Sequence, residues 1–145
     1  MNKHAFTLLE IMVVIVLLGI MVAFALPEYA KSLRRAHERD SVVQLRIIYA
    51  ANSLYKTQAD EYLDDGGSTL NEAQINAGLN IKIHASDMTY EYDRLSTSAY
   101  LATAEWSDGG GDFTVGITQD LLSDSNPCCY CDSCPSLPNC SAMCP

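Results

Sequence analysis

Two groups of residues have types and spacings that could do chemistry. The first is a cluster of six cysteines in the last 18 residues: Cys128, Cys129, Cys131, Cys134, Cys140 and Cys144. Thiols packed this closely either pair as disulfides or bind a metal as thiolates. Six cysteines allow fifteen pairings, or twelve if the adjacent Cys128 and Cys129, whose mutual bond would be a strained ring, stay unjoined. Each bridge would contribute roughly 2–4 kcal/mol, less in loops this small. Cys128-x-x-Cys131 and Cys131-x-x-Cys134 also have knuckle-like spacing. None of the three histidines, His4, His37 and His84, is near them, so a mixed His/Cys site is not suggested. An even number of cysteines in one cluster favours a disulfide-stapled tail. Zinc or an iron–sulfur centre, and free or intersubunit thiols, are the other readings. The second group is a single carboxylate, Glu10, the one charge in the apolar run 6–26, FTLLEIMVVIVLLGIMVAFAL.

That run is the element on which the chain is organised. As a helix rising about 1.5 Å per residue it would be about 30 Å long, enough to cross a bilayer core. A buried carboxylate costs on the order of 2.5–3.5 kcal/mol at the bilayer centre and less near an edge. Glu10 sits near an edge and still calls for a cationic partner. The five residues ahead of the run are too few and too polar for a secretory signal, and no small-x-small cleavage site follows it. Ala5-Phe6-Thr7-Leu8-Leu9-Glu10, then an uninterrupted apolar helix, then Pro27, resembles the N-terminus of type IV pilin and type II secretion pseudopilin precursors. Ala5 stands where that family usually has glycine. The resemblance implies that a prepilin peptidase cuts between Ala5 and Phe6 on the cytoplasmic side and methylates the new amine. It implies that Glu10 of one subunit pairs with the Phe6 amine of a neighbour, and that the helix bends at Pro27 and continues. It covers the first third to two-fifths of the chain.

The formal charge is −9, and losing residues 1–5, with their single lysine, makes it −10. An acidic chain lacks the basic footprint of a nucleic-acid binder. The cysteine cluster puts everything after residue 26 outside the cytoplasm. The positive-inside rule alone points the other way, because Lys31, Arg34, Arg35 and Arg39 follow the span and only Lys3 and the first amine precede it. The leader and the cysteines outweigh it. Less the anchor, the chain is long enough for one small domain.

Beyond the span, Tyr29, Leu33, Ala36, Val43, Ile47, Ala50 and Leu54 recur at spacings of 3, 4 or 7, interrupted at Asp40. This pattern predicts that the helix runs on to about Gln58 or Tyr62, with the 43–54 part of the stripe lying on a sheet. The opposite face would carry Lys31, Arg34, Arg35, Glu38, Arg39 and Arg46. Tyr29, Tyr49, Tyr55 and Tyr62 raise the idea of electron hopping, but core, interface and membrane-boundary tyrosines is the simpler reading. Asp64-Asp65-Gly66-Gly67-Ser68 breaks the helix. No EF-type spacing follows the paired aspartates, so a solvated turn is expected rather than a calcium site. Thr69-x-x-Glu72 predicts a capping box before a short helix over 71–77, stopped at Gly78. Strands are predicted over 81–84, 89–95, 99–106 and 112–118, with a hairpin turn at 108–111. Residues 125–145 have four prolines and no periodicity.

The expected architecture is α+β: a leader (1–5), a transmembrane or filament-core helix (6–26), a head with an amphipathic helix on a small antiparallel sheet (27–124), and the cysteine-rich tail (125–145). No Ser-His-Asp, Cys-His or paired-carboxylate constellation marks an enzyme, and no cofactor is implied. The resemblance implies a structural subunit of a type IV pilus-like filament. Its partners would be the prepilin peptidase, identical or related pilin subunits, an inner-membrane assembly platform and membrane lipid. The precursor would sit in a bacterial inner membrane with its head periplasmic, before moving to a periplasmic or extracellular filament. A secretion pseudopilin is the alternative within the family. Glu10 disfavours the tip type, and no calcium-loop residues are evident. From another class, the alternative is a single-pass membrane protein with a metal-binding or redox tail.

Overall fold

The computed structural model describes residues 7–84, 87–107 and 113–119, and the backbone of Cys128 and Cys129. The chain divides into two compact units, Met1–Arg34 and Arg35–Pro145. Helix α1 (Leu8–Ala59) has 52 residues and passes from the first into the second. Pro27 lies inside α1. A proline removes one backbone hydrogen bond from a helix, and here it does not end it. The helix stops where Asp60 turns left-handed (φ 64°) and returns its N–H to the Lys56 carbonyl at 2.9 Å. That is within the range expected for its end.

In the first unit every described residue of α1 up to Leu33 is solvent-exposed within the chain. The helix is long and apolar enough to cross a membrane. Hydrocarbon requires such a segment to be helical, since a helix satisfies its own backbone polar groups.

The second unit holds the end of α1, then β1 (Leu70–Asn71), α2 (Glu72–Leu79), β2 (Thr89–Ser96), β3 (Ala99–Trp106), β4 (Phe113–Thr118) and β5 (Cys128–Cys129). The strands form one antiparallel sheet in the order β1-β2-β3-β4-β5. Period-two alternation sends Tyr90, Tyr92, Tyr100, Ala102, Ala104, Trp106, Phe113, Val115 and Ile117 into one core. Leu45 and Ile48 of α1, Ile75 and Leu79 of α2, and Tyr62, Leu63, Leu70, Ile83 and Met88 complete it. The α+β expectation is met, and β2, β3 and β4 lie within a residue of where the sequence put them.

Three local expectations are corrected. Residues 81–84 form no strand. The Asn76 side chain accepts from the Ile83 N–H at 2.8 Å and donates to the Ile83 carbonyl at 3.3 Å, so α2 takes the groups a ladder would have used. The cap of α2 is Asn71 with Gln74, each side chain bonded to the other's backbone N–H. Thr69 instead donates its hydroxyl to Asp93 at 2.6 Å. Gly78 lies inside α2 rather than stopping it. A Cβ there would come within 2.8 Å of a Leu63 methyl, so any larger residue would have to push that side chain aside.

A further correction concerns the face of α1 that meets the core. The predicted stripe is the exposed one: Val43, Ile47 and Leu54 are 56%, 39% and 60% exposed. The buried face is Glu38, Ser41, Leu45, Ile48 and Asn52. Glu38, expected among the solvated charges, is fully buried. Val42, Tyr49, Ala51 and Tyr55 pack against the edges of the core.

Candidate assembly surface

Glu10 lies in the first turn of α1. The Thr7 hydroxyl accepts from the Glu10 N–H at 3.3 Å, and Glu10 Oε2 accepts from the Thr7 N–H at 3.5 Å. Thr7 precedes the first helical residue and Glu10 is the third, so the pair is a reciprocal capping box. Pro27 is seventeen residues further along the helix, about 25 Å at a helical rise. The two candidate assembly residues are therefore separate features of one element. Ala5 and Phe6, the candidate cleavage pair, lie outside the described residues.

The second unit presents its own apolar surface. Val43, Ile47, Ala50 and Leu54 repeat at 4, 3 and 4 and all are exposed. A 3.5-residue repeat is the spacing by which one helix packs along another. Its mean direction is opposite to Leu45, Ile48 and Asn52, which the core has already taken. Tyr29 is also exposed, whereas Tyr62 is buried against Tyr100, edge to face, at 4.8 Å between centroids.

What holds the buried face is partly polar. Asn52 donates to the Tyr92 hydroxyl at 2.9 Å and accepts from the Leu63 N–H at 3.0 Å. Tyr92 donates to the Leu63 carbonyl at 3.1 Å, which closes a three-cornered network. Burial pushes the phenols of Tyr90, Tyr92 and Tyr100 well above their ordinary range, so the cluster is neutral and packs as core.

The aspartate turn is organised by protein groups. Asp64 and Asp65 accept from the N–H groups of Gly66 and Gly67, whose positive φ values the turn requires. Arg94 bonds Glu61 at 3.0 Å and Asp64, and its backbone N–H reaches Asp65 at 2.8 Å. The Gly67 and Arg94 amides, with the Arg94 charge, hold the Asp65 carboxyl below its ordinary value. These carboxylates spend their lone pairs on amides and a guanidinium. Among the described residues no group of three or more His, Cys, Asp or Glu side chains could hold a metal ion. The cysteine side chains lie outside the described residues, although the Cys128–Cys129 backbone pairs with Val115 and Gly116.

Residues 1–26 match a family model described as the prokaryotic N-terminal methylation motif. The chain is also similar to the type IV major pilin protein PilA of Myxococcus xanthus (strain DK1622), at 32% identity over 63 residues. The match covers 43% of this chain and 29% of the relative, so the chain spans under a third of that protein's length. No solved structure matches. The motif and the relative support a type IV pilin-family assignment and a pilin-type structural subunit.

Two residues escaped the sequence reading. Thr7 was legible: threonine, two residues, glutamate, then an apolar run is the signature of a capped helix start. Asn52 was not, because a lone asparagine in a helix ordinarily faces water and nothing local marks its partners.

Proposed function

We propose that this chain is a subunit of a type IV pilus-like filament, cut between Ala5 and Phe6, methylated at the new amine and assembled through α1. Glu10 matches its charge with the amine of a neighbouring subunit. Pro27 relaxes the helix locally while letting it continue. The six cysteines of the tail pair as disulfides outside the cytoplasm. The observation that carries this reading is the exposed apolar surface of α1. Residues 11–26 of α1 are without charge and exposed on every side within the chain, as a membrane-resident helix would be before it moves into a bundle. The second unit, with its core already filled, still leaves Val43, Ile47, Ala50 and Leu54 uncovered. Fully covering a large aliphatic side chain stabilises by roughly 1.5–3 kcal/mol, so such a stripe drives association with like helices. The prepilin motif supplies the other half of the argument.

The test is intact mass on protein extracted from membranes or sheared filaments, with thiols alkylated before and after reduction. The expected mass lacks residues 1–5, carries one added methyl, and takes up alkylating agent only after reduction. A full-length mass, with thiols that react only after chelation, would replace this reading with a metal-binding membrane protein. Pilus and pseudopilin separate on deletion of the gene. Loss of surface filaments with normal protein secretion supports the pilus.

A further inference from the structure

We propose that the arginines at the start of the second unit dock on the acidic turn after α1 of another copy of this chain, so that neighbouring heads stack head to tail. The proposal rests on the filament-subunit reading above and names a surface of the head together with the surface it fits. Arg35, Arg39 and Arg46 are all exposed. At 3.6 residues per turn they fall within about 40° of one another around α1. They lie beside the stripe of Val43, Ile47, Ala50 and Leu54 and away from the buried face. Among the described residues none of the three forms an ion pair. Arg35 and Arg39 are four apart on one helix face, where like charges repel. The chain has eighteen carboxylates against nine lysines and arginines, yet the fold spends none of the described ones on these three arginines.

The opposite sign gathers at the other end of the same helical stretch. Asp60, Glu61, Asp64 and Asp65 follow α1 directly, and Asp93 is tied to the same turn through Thr69. Two cations are close. Arg94 pairs with Glu61 and Asp64, and Lys56 sits 4.3 Å over the Tyr62 ring. Five carboxylates with two cations leave a net charge of −3 there. Asp60 and Asp64 are exposed.

A second copy satisfies both ends. An anionic lipid surface would engage the arginines and leave the acidic turn unexplained, whereas another copy meets each patch with its opposite. Copies whose α1 enters one bilayer from the same side lie parallel, so the patches meet only when one copy is displaced along the helix axis. Arg39 and Arg46 precede Asp60 by 21 and 14 residues, about 32 and 21 Å at a helical rise, and this range sets the displacement. A contact between two different patches, repeated by the same displacement, does not close and extends a filament. Exposed ion pairs are individually weak and are screened by salt. Their part is to choose the register and speed the encounter, while the apolar stripe beside the arginines supplies the adhesion.

Three sets of substitutions in the full chain test this: Arg35→Glu with Arg39→Glu, Asp60→Lys with Asp64→Lys, and all four together. The readouts are the fraction of subunit recovered in sheared polymer and the melting of each variant in detergent. Each pair sets like charges against each other and is expected to lower the polymer fraction about tenfold. The fourfold swap restores opposite signs and should return it to within about twofold of wild type. A second measurement does not depend on those variants folding. Arg39→Lys keeps the charge and supplies an amine that a carbodiimide joins to a carboxylate in contact. In polymer from cells moved from light to heavy-nitrogen medium, cross-links should join the peptide containing position 39 of one isotope to the turn 60–65 of the other. Normal polymer from both pairs, no rescue by a fourfold swap that melts normally, or cross-links only between peptides of like isotope overturns the head-to-tail contact and leaves the filament reading standing. No sheared polymer from the wild-type chain, with residues 1–5 still present, overturns the filament reading and this contact with it.

Discussion

Two faces of the same helical stretch, residues 35–59, meet opposite fates. One is the more apolar, with Val43, Ile47, Ala50 and Leu54, and it stays exposed. The other carries Glu38, Ser41 and Asn52 among Leu45 and Ile48, and it is fully buried. Burial on folding therefore did not go to the most hydrophobic stripe. It went to the face on which Ser41 and Asn52 find partners: Ser41 donates to the Glu38 carbonyl at 2.8 Å, and Asn52 joins Leu63 and Tyr92. A polar group that is matched costs little to bury, whereas an unmatched one costs several times a hydrogen bond's net gain. The cleaner apolar stripe, having nothing to satisfy, is the one that can be left for another molecule. The lesson is that a helix with two usable faces folds with one and can leave the more apolar one exposed.

Truncation on the two faces gives the largest test. Leu45→Ala and Ile48→Ala should each cost about 2–5 kcal/mol in chemical denaturation of the detergent-solubilised chain. Val43→Ala, Ile47→Ala and Leu54→Ala should stay within about 0.5 kcal/mol of wild type by the same measurement, yet lower the polymer fraction. If the second set destabilises the lone chain as much as the first, the assignment of the faces is wrong.

The polar part of the buried face is tested next. Asn52→Leu strands the Leu63 N–H and removes a donor from Tyr92, and should cost about 1–3 kcal/mol. Tyr100 is the control. Among the described residues its buried hydroxyl has no hydrogen-bond partner, so Tyr100→Phe should be nearly neutral or stabilising, while Tyr92→Phe should cost about 1 kcal/mol. Equal losses in Tyr92→Phe and Tyr100→Phe would remove the distinction between a matched and an unmatched phenol.

Much of this molecule was legible in the sequence because its signals are local. The apolar run, the helix through Pro27 and the period-two strands each follow from residues near one another in the chain. What was not legible depended on distant partners. The stripe containing Val43 and Ile47 was rightly read as apolar and helical, but which face meets the sheet is settled by Tyr92, forty residues after Asn52. The strand expected over 81–84 failed because Asn76 competes for the Ile83 backbone. The cap on α2 moved from Thr69 to Asn71 because Asp93 claims the threonine. In each case one side-chain hydrogen bond overrode a propensity worth only tenths of a kcal/mol. The residues of α1 divided the same way: Glu10 and its Thr7 cap carry a local signature, while the role of Asn52 needed the geometry around it.

The smallest effect expected is a pH dependence at the far side of the buried face, where the turn after α1 is tied to β2. The amides of Gly67 and Arg94 bond the Asp65 carboxylate and lower its folded pKa below the ordinary 3.8. Because the folded value is the lower one, the stability it contributes is fully present above about pH 4 and is lost as the pH falls through that depressed value. The carboxylate is partly open to solvent, so the effect is modest. Asp65→Asn should lower the Tm at pH 6, and the difference from wild type should shrink as the pH falls through that depressed value and the carboxyl takes up its proton. Two melting curves that remain parallel over that range would place the acid sensitivity elsewhere. The turn would then be held by the Arg94 pairs with Glu61 and Asp64, and Arg94→Met would be the variant that removes it.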